Sequence, residues 1–215
     1  MQKYISARMI VLGHCNQAAQ MASRKTKAPP KDKREAIVDT MLDLVVERGF
    51  HDSPMSLLAK RSGASAGVIY HYFASKDEVI HAVYLHVKSI KLQFLLEGYS
   101  GDPSIEQAYL QLFMKVYNFY RTHLRETQFL DLYENSTFCS KAAAEEAASA
   151  DPIIANFMKA FRAKKDGGIL KDLPTEAIHE FSFGVARQLA KKETAIAPAM
   201  LKKIAIASWT AIVAE

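Results

Sequence analysis

An all-α chain in two parts, a small three-helix N-terminal domain ahead of a larger helical one, is what this sequence predicts, and three observations predict it. The 215 residues are 49% apolar, enough to bury a sizeable core. Only nine Gly and seven Pro interrupt long stretches rich in Ala, Leu, Lys and Glu, with apolar residues at three-four spacing, which is the period of an amphipathic helix. The charge is also uneven. Residues 1–95 carry 14 Lys/Arg against 8 Asp/Glu, whereas residues 96–215 carry 14 against 15, so the net charge of +5 resides in the N-terminal part. A basic module joined to a near-neutral one suits phosphate binding at one end, though a solvated lysine-rich surface would carry the same charge.

The apolar patch Met9-Ile10-Val11-Leu12 is too short for an export signal. Residues 1–30 read as a flexible basic arm, and Met21 is an expected internal start of translation. The first helix runs from Lys31 to Arg48, with Ile37, Val38, Met41, Leu44 and Val45 on one face, and Gly49 closes it. Ser53 is placed to cap a second helix with Pro54 at its first position, and Gly63 stops that helix at a tight turn. Ser65 caps a third helix to about Tyr72. Ser75-Lys76-Asp77-Glu78 has the form of a capping box opening a long fourth helix to about Leu96.

Longer helices follow. Asp102-Pro103 opens one that reaches His123, and another spans Leu124 to Asn135. A third includes the Ala-rich tract Ala142–Ala150 and Pro152 and ends at Asp166-Gly167-Gly168. Thr175–Lys192 and Pro198–Val213 make the last two.

Between Leu58 and Phe73, a short helix, a glycine turn and a second short helix have helix-turn-helix form, which presents the start of the second helix to the DNA major groove. Ala64, Ser65, Ala66 and Gly67 let that backbone approach closely. Val68, Ile69, Tyr72 and Phe73 anchor it inward, while Tyr70 and His71 project outward. Gly49-Phe50-His51, Ser53, Leu58-Ala59, Gly63, Gly67-Val68-Ile69-Tyr70-His71-Tyr72-Phe73 and Ser75-Lys76-Asp77-Glu78 resemble the signature of the tetracycline-repressor family over Arg34–Tyr84.

The resemblance implies that Ser65, Ala66 and Gly67 face the groove, that Tyr70 and His71 contact backbone or base, and that Lys76 holds a phosphate. It also implies that Ser53 caps its helix beside another phosphate. Relatives often carry polar side chains where this chain has Leu57 and Ala66, so readout through thymine methyls and DNA shape is expected. Arg24, Lys25 and Lys27 are either a minor-groove arm or a solvated tail.

The expected domains are therefore a helix-turn-helix DNA-binding domain at 31–78 and a ligand-binding and dimerisation domain at 79–215. In the latter, Tyr109, Phe113, Tyr117 and Tyr120 form an aromatic stripe, joined by Phe129, Tyr133, Phe157, Phe161 and Phe183. Such a stripe is either ordinary core or the wall of a pocket for a small-molecule effector, and the tyrosine hydroxyls favour the pocket. Ile178, Phe181, Val185 and Leu189, with Leu201, Ile204, Ala205, Ser208, Trp209 and Ile212, are expected at a homodimer interface.

No catalytic motif or metal-ligand spacing occurs among the seven His, and Cys15 and Cys139 suggest neither zinc nor a disulfide, so neither enzyme chemistry nor a cofactor or metal is expected. A soluble cytoplasmic protein with no membrane partner fits the lack of an apolar run of about 18–20 residues. The functional expectation is a repressor that leaves a palindromic double-stranded operator when a small molecule binds. An activator of the same fold and a helical protein-binding adaptor are the alternatives.

Overall fold

The computed structural model describes residues 32–98, 103–138 and 159–214. These are helical apart from turns and two isolated β-bridges. The helices are α1 (Lys33–Arg48), α2 (Met55–Ser62), α3 (Ala66–Tyr72), α4 (Lys76–Leu96), α5 (Ile105–Thr122), α6 (Leu124–Glu134), α7 (Thr175–His179), α8 (Val185–Ala190) and α9 (Pro198–Ile212). The Ala-rich tract, Phe157, Cys139 and the arm 1–30 with its internal Met21 lie outside the described residues.

Local chemistry sets most helix starts. Asp32 accepts a hydrogen bond from the Arg34 N–H, Ser65 from Val68 and Ser75 from Glu78, each relieving a first-turn donor that has no helical partner. The box at Ser75 is shifted by one residue from the ideal, because the Glu78 carboxylate takes the N–H of Ala74 at 2.7 Å. The reciprocal box lies instead at Ser104 and Gln107, where α5 begins.

Two expected starts and stops move. Ser53 does not cap α2, since Pro54 holds that position without a side-chain cap and the Ser53 hydroxyl donates to Gly49 O at 2.7 Å. The helix ahead of Gly167 ends by Ala160, and a single 3₁₀ turn, Lys164–Asp166, leads into the glycines. Gly168 is required there, because a Cβ would lie 2.1 Å from the carbonyl oxygen of Arg162. The segment after it is stitched to the end of α9 by Lys171 N–H to Ile212 O and Ala214 N–H to Ile169 O.

One continuous apolar core runs from Ile37 in α1 to Ile212 in α9. Helix α1 packs on α2, α4 and α6, while α5 packs on α4, α8 and α9. Helix α4 therefore belongs to both halves. With 21 residues and a mean hydropathy of 1.2 over its most apolar stretch, it is the one described helix long and apolar enough to cross a membrane, closer to that limit than the sequence reading allowed. Its apolar side, Val79, Ile80, Val83, Tyr84 and Val87, is occupied by the core.

Between α7 and α8 the helix makes a π turn at Glu180–Gly184, and Ser182 departs from helical geometry (φ −106°, ψ −107°). The carbonyl of Phe181 is taken there by the Ser208 hydroxyl of α9, which in turn receives the Tyr109 hydroxyl at 2.7 Å. Ser208 has one proton and gives it to the carbonyl, so Tyr109 is the donor in the other bond.

At Gly63 the backbone is left-handed (φ 69°), where glycine avoids the steric cost of a Cβ. Gly63→Ala is expected to lower stability by about 1 kcal/mol in urea unfolding without changing helix content by circular dichroism.

Candidate functional site

The short α3 is positioned from behind. Ile69 and Phe73 are buried against the core, Val68 is partly buried, and the guanidinium of Arg34 lies 5.2 Å above the Phe73 ring. The opposite side is open: Ser65, Ala66, Gly67, Tyr70 and His71 are all exposed, Tyr70 by 55%. Among the described residues nothing lies within 4 Å of a Cβ added at Gly67 except the Ser65 hydroxyl, so the start of α3 is a smooth surface poor in side-chain hydrogen-bonding groups.

Three of the expected roles change. Tyr72 is not core; it is 39% exposed and packs edge-on against His71 at 5.3 Å, extending the aromatic rim of α3. Ser53 is fully buried and committed to Gly49 O, so its hydroxyl faces inward and not toward a phosphate. Lys76 is half-engaged in the fold, its ammonium donating to the Phe50 carbonyl beyond the end of α1. That contact supplies the reason for a lysine that otherwise opposes its own helix dipole. Arg61 is also engaged, forking onto Glu47 at 2.5 and 2.8 Å.

The aromatic residues expected to form one pocket fall into separate groups. Tyr109 stacks with Phe161 at 5.9 Å and meets Phe183 at 5.3 Å, Trp209 at 5.0 Å and Phe113 at 6.2 Å between ring centroids. Phe129 and Tyr133 belong to a second group with Tyr84, Phe50 and Phe138. Tyr117 turns elsewhere, and its hydroxyl accepts the Ile196 N–H at 2.8 Å. Tyr109, Phe113, Phe129 and Tyr133 are buried by their neighbours, so the stripe is largely packed core.

Phe161 and Phe183 border an open recess, a cavity of about 620 Å³ walled by Leu170, Leu173 and Ile178, with Lys165 and Asp172 paired at 2.5 Å. Burial raises the Tyr109 hydroxyl to about 12 against its hydrogen bond to Ser208, keeping it a neutral donor.

Tyr120 stands apart from both groups, and two cations flank it. The Lys91 ammonium lies 5.3 Å from its ring centroid and the Arg187 guanidinium 5.8 Å. Burial pushes Lys91 down to about 8, only partly offset by Glu134. Burial raises the Tyr120 hydroxyl to about 12, with Glu134 adding to the effect. Sequence periodicity did not find these cations, because lysines on a helix ordinarily read as solvated.

The outward face of α9 also differs from expectation. Leu201, Ala205, Ser208 and Ile212 turn into the chain's own core, and Met200 and Ile206, with Phe181 before α8, are the exposed apolar residues. Helix α9 is apolar around most of its circumference, so its period did not distinguish the two sides.

Residues 37–83 match the family model described as bacterial regulatory proteins, tetR family. Over 61 residues the chain is 36% identical to an uncharacterized HTH-type transcriptional regulator, TtgW, of Pseudomonas putida, covering 28% of this chain and 46% of that one. It is 35% identical over 57 residues to the HTH-type transcriptional regulator BetI of Klebsiella pneumoniae, covering 26% and 29%. The chain thus spans less than half the length of these curated relatives.

In fold it is similar to a putative TetR-family transcriptional regulator from Vibrio parahaemolyticus (TM-score 0.70, 24% identity, 86% of this chain and 100% of that one). A putative tetR-family regulator from a Shewanella species is comparable (TM-score 0.72, 22% identity, 86% and 100%).

Two measurements follow from the site geometry. Lys76→Met is expected to destabilise the chain by about 1–2 kcal/mol, because it strips a charged donor from the Phe50 carbonyl; a lysine reserved for phosphate would leave the urea midpoint unchanged. Lys91 has a folded-state pKa near 8, below its ordinary 10.5. The cost of its burial is fully present below pH 8 and is relieved as pH rises toward 10.5, so this group makes stability increase over that window. Comparing urea midpoints at about pH 7 and about pH 9.5 is expected to show a smaller gain, or a larger loss, in Lys91→Met than in the wild-type chain.

Proposed function

We propose that this chain, which belongs to the tetR family of bacterial regulatory proteins, is a ligand-responsive transcriptional repressor that binds double-stranded operator DNA through α3 as a two-fold dimer. The observation that carries the reading is the exposed, small-residue start of α3 with Tyr70 and His71 beside it, on a helix anchored from behind by Ile69 and Phe73. Such a surface lets the helix enter a major groove closely. Its shortage of hydrogen-bonding side chains favours recognition by thymine methyls and by groove shape.

The helix-turn-helix domain comprises α1 to α3 and the first residues of α4, corresponding to 31–78 in the proposed division, and residues 79–215 form the effector and dimer domain. Ser65, Ala66, Gly67, Tyr70 and His71 are the proposed DNA-facing residues, joined by Tyr72. Lys76 would serve a phosphate only by exchanging it for the Phe50 carbonyl.

The exposed face bearing Phe181, Met200 and Ile206 is the proposed dimer surface. Pairing about a two-fold axis would set two α3 helices toward half-sites about one helical turn apart. Effector binding acts through α4, which packs on α1, α5 and α6 and whose C-terminal end is held to α5 by the Lys115 ammonium donating to the Phe94 and Glu97 carbonyls. A shift of α4 moves α3 out of register with the groove, with a coupling energy typically of about 1–3 kcal/mol.

The test is fluorescence anisotropy of the purified chain on DNA from upstream of its own gene, across a salt series, beside Tyr70→Ala/His71→Ala. Site-specific binding that weakens linearly in log salt, and is reduced at least about tenfold in the variant, is the expected outcome. Equal affinity for operator and random DNA, unchanged in the variant, would contradict the reading.

A further inference from the structure

The recess bordered by Phe161 and Phe183 holds a cavity of about 620 Å³, lined on its apolar side by these rings with Leu170, Leu173 and Ile178. Leu170 and Ile178 are buried, both rings are partly covered, and Leu173 is 40% exposed. A protein interior ordinarily closes over a space of this size, because the side chains around it forfeit dispersion contacts.

A braced frame keeps it open. The segment 162–172 is folded back on itself, with Lys164 N–H donating to Leu170 O and Leu170 N–H to Arg162 O, both at 2.8 Å. Lys165 pairs with Asp172 in the same segment at 2.5 Å, and the hydrogen bonds from Lys171 and Ala214 tie it to the end of α9. The π turn contributes Ser182 and Phe183, and the Ser208 hydroxyl of α9 fixes that turn through the Phe181 carbonyl. Two separate sets of contacts thus hold the lining in place, as in a pre-formed ligand pocket.

The polar groups of the lining are spent on the fold. Besides the Lys165–Asp172 pair, the Lys171 ammonium donates to the Thr210 and Ala211 carbonyls at 3.1 and 2.9 Å. Arg162 Nε donates to Lys159 O at 2.8 Å, and the Ser182 hydroxyl to His179 O at 3.1 Å. A charged occupant would give up water without gaining a dedicated partner. Arg162, Lys165, Asp166 and Asp172 are nonetheless exposed around the opening, whereas the core of a protein–protein interface is depleted of charge. An apolar concavity with a charged rim suits a small molecule and not the face of a second chain.

We propose that this recess binds an uncharged lipophilic effector, of a size on the order of one or two aromatic rings, against Phe161 and Phe183. This gives the effector of the regulatory reading above a place and a chemical class, and rests on that reading. Both rings contact Tyr109 of α5, at 5.9 and 5.3 Å between centroids, and α5 packs on α4. An occupant therefore touches side chains that lead through α5 to the helix shared with the DNA-reading half.

The experiment is fluorescence titration of the full chain with phenylnaphthylamine, which is uncharged, beside its anionic relative anilinonaphthalenesulfonate. It is run on wild type, Leu173→Glu, Leu173→Met and Leu124→Glu; Leu124, 67% exposed and outside the recess, controls for adhesion to apolar surface. The uncharged probe is expected to bind saturably at about one molecule per chain, roughly tenfold or more tighter than the sulfonate. Leu173→Glu loses about tenfold or more of that affinity, while Leu173→Met and Leu124→Glu keep it. The melting temperature of Leu173→Glu is expected to match that of wild type, which separates loss of the site from loss of the fold.

Equal binding of the two probes overturns the proposal, as does affinity unchanged in Leu173→Glu. Uncharged-probe binding that disappears as the chain self-associates, followed by light scattering across concentration, also overturns it, because a second copy then fills the recess. Anisotropy on operator DNA runs in parallel, and saturating uncharged probe is expected to weaken site-specific binding about fivefold or more. Unchanged DNA affinity with the probe bound overturns the effector assignment. Probe binding in the recess without any site-specific DNA binding keeps the site and removes the regulatory reading, while site-specific DNA binding without probe binding does the reverse.

Discussion

The burial of α4 by two different sets of partners is the constraint on which the rest of the structure depends. It packs on α1 and α6 as well as on α5, its side chains Val79, Ile80 and Val83 are buried in the core, and its last turns are tied to α5 by Lys115 and by the Phe94–Phe119 ring contact. A helix of 21 residues is about 30 Å long, stiff enough to carry a displacement at one end to the other. The two ends are not independent on other grounds either. Arg125 of α6 reaches Asp43 of α1 at 2.9 Å, and Phe50 at the end of α1 packs between Phe129 and Phe138. Helices α4 and α6 therefore meet α1, and α1 meets α3, through packed surfaces.

On that frame α3 is a minimal device. Ser65 caps it, Ile69 and Phe73 hold it, and its outward residues are mostly small. The polar groups that one would enlist for phosphate contact are partly spent within the fold: Ser53 on Gly49, Lys76 on Phe50 and Arg61 on Glu47. These contacts fix the turns on either side of α3. The orientation of α3 is thus fixed by contacts within the fold itself.

The all-helical class, the helix boundaries near Gly49 and Gly63, and the exposed positions of Tyr70 and His71 were legible in the sequence, because capping residues and helical periods are local signals. Tyr72 was misplaced because a seven-residue helix has too few turns for its period to separate the two faces. On α9, apolar residues occupy both sides, and only the packing against α5 decides that Ala205 is inside and Ile206 outside. The aromatic stripe of α5 was legible as buried, but its division among three environments depends on partners far away in the chain, as with Tyr109 and Ser208. The Lys91–Tyr120–Arg187 arrangement was invisible for the same reason: three helices bring together residues with no shared periodicity.

The central claim, that α1, α3 and the larger domain are mechanically joined by α4, is tested most directly by native-state hydrogen exchange resolved along the chain. The account predicts that the core amides of Leu42 and Val45 in α1, Val83 and Val87 in α4, and Phe113 and Val116 in α5 exchange through one common opening, with the same dependence on denaturant. Opening of α1 through α3 at a distinctly lower free energy, with α4 dividing near its middle, would show two uncoupled domains and contradict it.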